Sequence, residues 1–261
     1  MARIFITGSS DGLGFNAAQL LAQQGHRVTL HARNERRARE ARQQLTAAEG
    51  VVIGDVSTLA AMRSVAEQAN ASGRFDAVIH NVAVGYREPV RVETEDGIER
   101  LFAINVLAPY VLTALITPPS RLVYLSSGMH RGGDADLRDP QWQKRRWNGS
   151  QAYATSKLLD TVLAFAVARR WPNVLSSAVE PGWVATKMGG ESAPDDLSQG
   201  HVTQAWLAVS DEPAARVTGG YFYHQAPRAV NPAARDPKLQ DALLAYCESL
   251  CGVKLAEAPA A

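Results

Sequence analysis

Tyr153 and Lys157 stand four residues apart in Tyr153-Ala154-Thr155-Ser156-Lys157, inside a stretch whose pattern predicts a helix. Residues at i and i+4 share a helix face, so the phenol and the ammonium project to the same side. An unperturbed phenol titrates near pH ~10, and a cation held beside it favours the phenolate and lowers that value. A tyrosine tuned in this way can pass a proton to or from a substrate oxygen near neutral pH. The spacing alone also fits a surface tyrosine beside a surface lysine, and it is a second, independent signal at the N-terminus that favours chemistry.

That signal is Thr7-Gly8-Ser9-Ser10-Asp11-Gly12-Leu13-Gly14, which follows an apolar strand-like run and opens an amphipathic helix. Gly8 permits a tight turn off the strand, Gly12 lets backbone approach a pyrophosphate, and Gly14 lets the helix pack close to the sheet. The helix N-terminus then offers free N–H donors to phosphate. Ser10, Asp11 and Leu13 belong to the same turn and are expected at the cofactor, although Asp11 can also be read as a helix cap. At the end of the second strand the chain reads His31-Ala32-Arg33-Asn34. Ala32 stands where an NAD-selective site places a carboxylate, and Arg33 follows it. A guanidinium pairs bidentately with phosphate. The expected cofactor is therefore NADP(H) rather than NAD(H), with a merely solvated Arg33 as the alternative.

These motifs need a scaffold. Short apolar runs at Arg3–Thr7, Arg27–His31, Val51–Ile53, Asp76–Ile79, Arg121–Leu125 and Val174–Val179 lack polar alternation, as strands buried on both faces do. Helical stretches lie between them, at Gly12–Gln24, Glu35–Ala48, Leu59–Ala71, Gly97–Ile116 and Gln151–Arg170. This alternation predicts a single-domain α/β fold, a doubly wound parallel sheet with helices on both faces. The domain is expected to run over 1–255, with a tail at 256–261. Residues 128–150 break the rhythm and hold Trp142, Trp147 and Lys144-Arg145-Arg146; they read either as a solvated surface insertion or as part of a pocket wall. Residues from about 187 to 201 are rich in Gly and Asp and read as a mobile substrate loop.

Composition excludes several classes. The 261 residues carry 27 Lys+Arg against 26 Asp+Glu, which gives nucleic acid or an anionic membrane nothing to bind. No apolar run is long enough to span a bilayer, and the opening residues lack the features of a signal peptide. Cys247 and Cys251 have no neighbouring His and make a poor metal site, so no metal is expected. They read as packing residues in a reducing cytosol, and the expected location is cytoplasmic.

Taken together, the motifs resemble the short-chain dehydrogenase/reductase family, whose members have a Rossmann-type fold. Gly54-Asp55-Val56 resembles the family's acidic step after the third strand, and the resemblance implies that Asp55 contacts the adenine amino group. Asn81 and Ala83 stand where the family has Asn-Asn-Ala-Gly, with Val82 departing from it. Asn105 resembles the asparagine that helps hold a catalytic water and the lysine. Ser126-Ser127 ends a strand as the active-site serine does, and the family pattern selects Ser127. Pro181-Gly182-Trp183-Val184-Ala185-Thr186 resembles the segment that contacts the nicotinamide through Pro181, Gly182, Val184 and Thr186. The matches run in order from residue 3 to about 188.

One departure is the 26-residue separation of Ser127 and Tyr153, longer than in much of the family. With His130 three residues after Ser127, it resembles the retinol dehydrogenase and protochlorophyllide reductase branch, whose members favour NADP(H) and bulky apolar substrates. The resemblance implies an NADPH-dependent carbonyl reductase or alcohol dehydrogenase. In it Tyr153 is the general acid/base, Lys157 binds the nicotinamide ribose and lowers the Tyr153 pKa, Ser127 meets the substrate oxygen, and Asn105 supports a proton-relaying water. His130 and Trp183 join Ser127 and Tyr153 as expected substrate contacts. Family members often pair through the helices containing Asn105 and Tyr153, so a homodimer or homotetramer is implied. Two further readings stand beside this one: a catalytically silent NADP(H)-binding regulator, and a sugar-nucleotide epimerase, for which the 73 residues after 188 are a small substrate domain.

Overall fold

Alternate residues of the strands enter opposite hydrophobic layers, which explains why their sequences lack polar alternation. The computed structural model describes residues 1–257, so residues 258–261 of the expected tail lie outside the described residues. In chain order the elements are β1 (Arg3–Ile6), α1 (Gly12–Gln23), β2 (Arg27–Ala32), α2 (Glu35–Gln44), β3 (Gly50–Ile53), α3 (Leu59–Ala71) and β4 (Ala77–His80). There follow α4 (Arg100–Phe102), a π turn (Ala103–Leu107), α5 (Ala108–Leu115), β5 (Arg121–Leu125), α6 (Gly149–Arg170) and β6 (Leu175–Val179). The chain ends with α7 (Val202–Val209), β7 (Gly220–Tyr223), β8 (Ala226–Pro227) and α8 (Pro237–Cys251).

The sheet order is β3-β2-β1-β4-β5-β6-β7-β8. It is parallel from β3 to β7, and β8 adds an antiparallel edge. Phe5, Val78, Leu122 and Tyr124 join the layer formed with α3, α5, α6 and α8. Ile4, Ile6, Ile79, Val123 and Leu125 join the layer formed with α1, α2 and α7. This is the doubly wound, Rossmann-type α/β arrangement the alternation predicts. Consecutive strands β1, β2 and β3 run to one side and β4 onward to the other, so the order reverses between β1 and β4. A crevice opens at their carboxyl ends, where ligands bind in such sheets.

Several elements differ from expectation. The helix expected over Glu35–Ala48 stops at Gln44. The one expected over Gly97–Ile116 is broken into α4, the π turn and α5, with Pro109 in the first turn of α5. A proline has no N–H to give to the preceding turn. The pattern also missed α7, which follows the Gly-rich loop, and the two-residue β8. After Asp236, which caps it through the Lys238 N–H, α8 extends for 15 residues and places Cys247 and Cys251 in the core as free thiols. No helix of the described residues is long and apolar enough to cross a membrane.

Candidate active site

The glycine loop is shaped by backbone and braced by two neighbours. Gly8 and Gly12 have φ of 64° and 59°, in the left-handed region that favours glycine. A Cβ on Gly14 would stand 2.4 Å from Asn81 Nδ2 and 2.6 Å from the Gly8 carbonyl oxygen, so the helix meets the loop only because the side chain is absent. Asn81 Nδ2 donates to the carbonyls of Thr7 (3.0 Å) and Gly8 (3.1 Å). Its backbone N–H donates to Thr7 Oγ1 at 2.9 Å. His31 clamps the loop from the other side. Its Nδ1 accepts from the Gly8 N–H at 2.9 Å, which leaves Nε2–H to donate to the Gly54 carbonyl, also at 2.9 Å. Burial holds this ring neutral by pulling its pKa down to about 4.

A cavity of about 760 Å³ runs from this loop to Tyr153. Of the expected residues, Gly8, Ser10, Asp11, Gly12, Leu13, Arg33, Asp55, Val56, Asn81, Ala83, Tyr153, Lys157, Pro181 and Thr186 line it. A Cβ on Gly12 would meet nothing within 4 Å, so bare backbone faces the open cavity. Exposed Arg33 has a second cation beside it, Arg37, which sequence reasoning missed although it follows on the first turn of α2. Arg37 donates to Asp11 Oδ2 (3.0 Å), and Lys187 reaches the same oxygen across the cavity (2.7 Å). Burial raises the Asp11 pKa, but the hydrogen bonds from Lys187 and Arg37 outweigh it and hold the carboxyl below its ordinary value. Asp11 makes no side-chain cap of α1, so the capping alternative falls away.

At the other end, α6 carries Tyr153 and Lys157 on its inner face, and both are buried. Lys157 Nζ donates to the Leu125 carbonyl at 2.6 Å and lies 6.0 Å from the Tyr153 ring centroid. The expected depression of the Tyr153 pKa is not found. Burial pushes it up to about 12, and the nearby Ser127 hydroxyl pulls only partly the other way. Tyr86 and the Asp160 charge add to the desolvation in raising it. Tyr153 is thus a protonated phenol, suited to donating a proton.

The remaining expected residues stand behind the cavity wall or beside it. Asn105 lies in the π turn, an irregularity common at functional sites. Its Oδ1 accepts from the Val84 N–H (2.9 Å), and its Nδ2 donates to the Val84 carbonyl (3.1 Å) and Ser156 Oγ (3.0 Å). Its side chain thus braces the segment after β4 and α6. Ser126, not Ser127, lines the cavity, but its hydroxyl is committed to the Lys157 carbonyl at 3.0 Å, which leaves Ser127 as the hydroxyl beside Tyr153. Val184 is buried. Gly182 has φ of 85°, and a Cβ there would stand 2.8 Å from Asp195 Oδ2, so it is a turn residue of the loop.

Two substrate contacts need correction. His130 is fully buried. Its Nε2 accepts from the Asn231 N–H at 3.2 Å, so Nδ1–H donates to the Ser127 carbonyl at 2.8 Å. It is a brace behind Ser127, with no polar atom left for a ligand. Trp183 is 52% exposed, does not line the cavity and donates from Nε1 to the Gly189 carbonyl at 3.0 Å. The residue that does cover Tyr153 is Met188, whose Sδ accepts from the phenol at 3.8 Å. Tyr86 packs edge-on to the Tyr153 ring, with centroids 5.6 Å apart. Neither belongs to a polar motif, and only proximity in the fold reveals them.

The 128–150 insertion backs this wall. Trp142 is buried against Leu101, Ala152 and Tyr153, with a left-handed φ of 56°. A non-glycine residue bears that strain only where its surroundings hold it. The Arg145 guanidinium lies 3.8 Å above its ring and pairs with Asp134 at 2.7 Å. Trp147 Nε1 donates to the Glu88 carbonyl at 2.9 Å and pins the loop that carries Tyr86. Of the basic triplet, only Lys144 and Arg146 are exposed.

The chain is similar to known proteins along nearly its whole length. Residues 2–197 match the family model described as short chain dehydrogenase. The chain is 43% identical over 257 residues to an uncharacterized oxidoreductase of Emericella nidulans, covering 97% of this chain and 98% of that protein. It is 40% identical over 259 residues to the short-chain dehydrogenase chry4 of Gibberella zeae, covering 98% and 99%. Human retinol dehydrogenase 13 is 29% identical over 286 residues, covering 96% and 85%, in keeping with the branch that the long Ser–Tyr separation suggests. Among solved structures, an uncharacterized protein from Mycobacterium paratuberculosis matches with a TM-score of 0.82 at 25% identity, covering 98% of this chain and 95% of that one. A blue fluorescent protein from a metagenomic library, solved in complex with NADPH, shares the fold with a TM-score of 0.69 at 22% identity, covering 85% and 95%.

Proposed function

The chain belongs to the short-chain dehydrogenase family, and from that premise we propose that it is an NADPH-dependent carbonyl reductase for bulky apolar or aromatic ketones and aldehydes. Family membership makes it an oxidoreductase that uses a nicotinamide cofactor on a small molecule. The finer reading is carried by one observation: a single cavity has Arg33 and Arg37 at one end and the Tyr153–Lys157 pair at the other. One neighbour in fold, the blue fluorescent protein solved in complex with NADPH, supports it.

The residues present fit the cofactor. Bare backbone at Gly12 would take the pyrophosphate at the start of α1. Arg33 and Arg37 would hold a 2′-phosphate, and no carboxylate stands at Ala32 to repel it. Asp55 and Val56 would flank the adenine, while Pro181 and Thr186 would border the nicotinamide. The bound cofactor supplies the hydride. Tyr153, held protonated by burial, would donate its proton to the carbonyl oxygen. Ser127 would stabilise the negative charge developing there. Tyr86, Met188 and the tryptophan-backed wall exclude water and favour an apolar substrate. In the reverse direction Tyr153 would take the alcohol proton.

The pairing expected through the Asn105 and Tyr153 helices has little surface to use. Of the 22 residues of α6, 17 are buried within this one chain, and α8 shares their hydrophobic layer.

NADPH consumption measured against a panel of ketones and aldehydes, in parallel with NADH, tests the reading. Arg33→Ala is expected to raise the NADPH KM about 10-fold or more, as loss of a charged hydrogen bond does, while leaving NADH unaffected. A wild-type preference for NADH, or an unchanged NADPH KM in the variant, overturns the NADP(H) assignment.

A further inference from the structure

Lys157 is not the only ionisable group buried beneath Tyr153. One turn further along α6, Asp160 is 2% exposed, as Lys157 is, and residues three apart share a helix face. Asp160 Oδ1 has no hydrogen-bond partner among the described residues. A bare buried carboxylate is among the most costly things a fold can hold unless a proton or an opposite charge compensates it. β5 presents Tyr124 to it, and behind Tyr124 lies a neutral chain. Thr113 Oγ1 bridges the Tyr124 hydroxyl (2.8 Å) and His80 Nε2 (3.1 Å). Burial keeps His80 uncharged, with its pKa down at about 3. On the Ser127 side, His130 spends both nitrogens on backbone. Among the described residues, Lys157 is the charged group that opposes the effect of burial on Asp160.

The relation is mutual. Burial drives Lys157 toward the free amine, and the Asp160 charge opposes this. Burial likewise drives Asp160 toward the neutral acid, and Lys157 opposes that. Only one of the three hydrogens of the ammonium is placed, on the Leu125 carbonyl. The others are available toward the cavity that Lys157 lines.

We propose that Asp160 is a positioning residue for the reaction: a buried counter-charge, one turn beyond Lys157, that keeps this lysine ionised where it faces the cavity. The inference rests on the reading of Tyr153 and Lys157 as the working pair. Asp160 acts through Lys157 and does not touch substrate. The effect is electrostatic, exerted between two buried groups one helical turn apart and not through a direct hydrogen bond. A neutral side chain at 160 removes the opposing charge, and Lys157 then sheds its proton at lower pH.

The test reads the lysine directly and needs no turnover, so its failure is separable from failure of the reductase reading. The chain has five lysines, at 144, 157, 187, 238 and 254, and ¹³C-lysine labelling gives a Cε signal for each; Lys157→Met identifies the one at 157. In Asp160→Asn the Lys157 midpoint is expected to fall by about one pH unit or more. In Asp160→Glu, which keeps the charge, it stays near that of the wild type. An unchanged midpoint in Asp160→Asn, or an equal fall in both variants, overturns the proposal. If Asp160→Asn does not fold, the wild type decides. There the Asp160 carboxyl carbon and the Lys157 Cε are expected to titrate in a common transition, and an Asp160 carboxyl that titrates alone in the ordinary carboxylate range overturns the proposal. A purely structural carboxylate would leave the Lys157 titration where it is.

Discussion

The glycine-loop end of the cavity is open, charged and made of backbone, whereas the Tyr153 end is closed, aromatic and made of side chains from distant segments. At the first end, Gly8, Gly12 and Gly14 shape the site by what they lack, and Asn81 and His31 hold the loop through its own carbonyls and amides. Its charges, Arg37, Lys187 and Asp11, are partly in water and paired with one another. At the second end, Tyr86, Met188 and Trp147 come from loops far apart in the chain and pack with Tyr153, and Lys157 and Asp160 are buried on the same helix. An anion can be received by exposed donors with little distortion of their acidity. Proton transfer needs a phenol whose acidity is set by its surroundings, and desolvation is the strongest means of setting it.

The contrast predicts how each end fails. The largest effect belongs to Tyr153→Phe, expected to lower kcat by about 10²–10⁴-fold while the NADPH dissociation constant, read by fluorescence titration, stays within error of the wild type. Substantial residual turnover would remove Tyr153 from its role. Gly14→Ala strikes the opposite end. The new methyl must push Asn81 from the glycine loop, costing about 1–3 kcal/mol of stability as overpacking does and weakening NADPH with it; urea unfolding of the unliganded protein reads the first effect. An unchanged midpoint would mean that the loop yields more readily than its bracing suggests.

Met188→Ala gives the smallest effect and sharpens the comparison most. Tyr153 titrates at about 12 when folded and near ~10 when unfolded. The folded state therefore binds the proton more tightly. The stability this contributes is fully present below about pH 10 and is lost as pH rises through 12. Opening the Met188 cover lets water reach the phenol and brings its pKa back toward ~10, so the decline of stability over that window becomes shallower. Tyrosinate absorbance against pH, paired with urea midpoints at about pH 10 and 11, checks both parts. A Tyr153 transition that does not move would assign its burial to Tyr86 and Trp142 rather than to the loop.

Legibility in the sequence followed the same division. Gly8, Gly12 and Gly14 between a strand and a helix, Arg33 after β2, and the Tyr153–Lys157 spacing were all readable, because each is a short-range pattern with a local geometric meaning. Arg37 was overlooked although it lies one turn past Arg33, since a run of arginines on an exposed helix resembles a solvated face. His130 looked available beside Ser127, yet the 3₁₀ turn after β5 rotates it inward to Asn231, a partner 101 residues away. Met188 sits in a loop with no periodicity to read. The Trp142–Trp147 insertion left two interpretations open until its ring was found against Tyr153.

What the amino-acid order determined by itself was the α/β scaffold, the phosphate-ready turn and the face of α6 that carries the phenol and the amine. These follow from period, glycine placement and i,i+4 geometry, all of which act within a few residues. Only the folded chain decided the protonation state of that phenol, the cover above it and the carboxylate beneath it. Each depends on removal from water, and how far a group is removed is set by residues that the sequence keeps far apart and the sheet brings together.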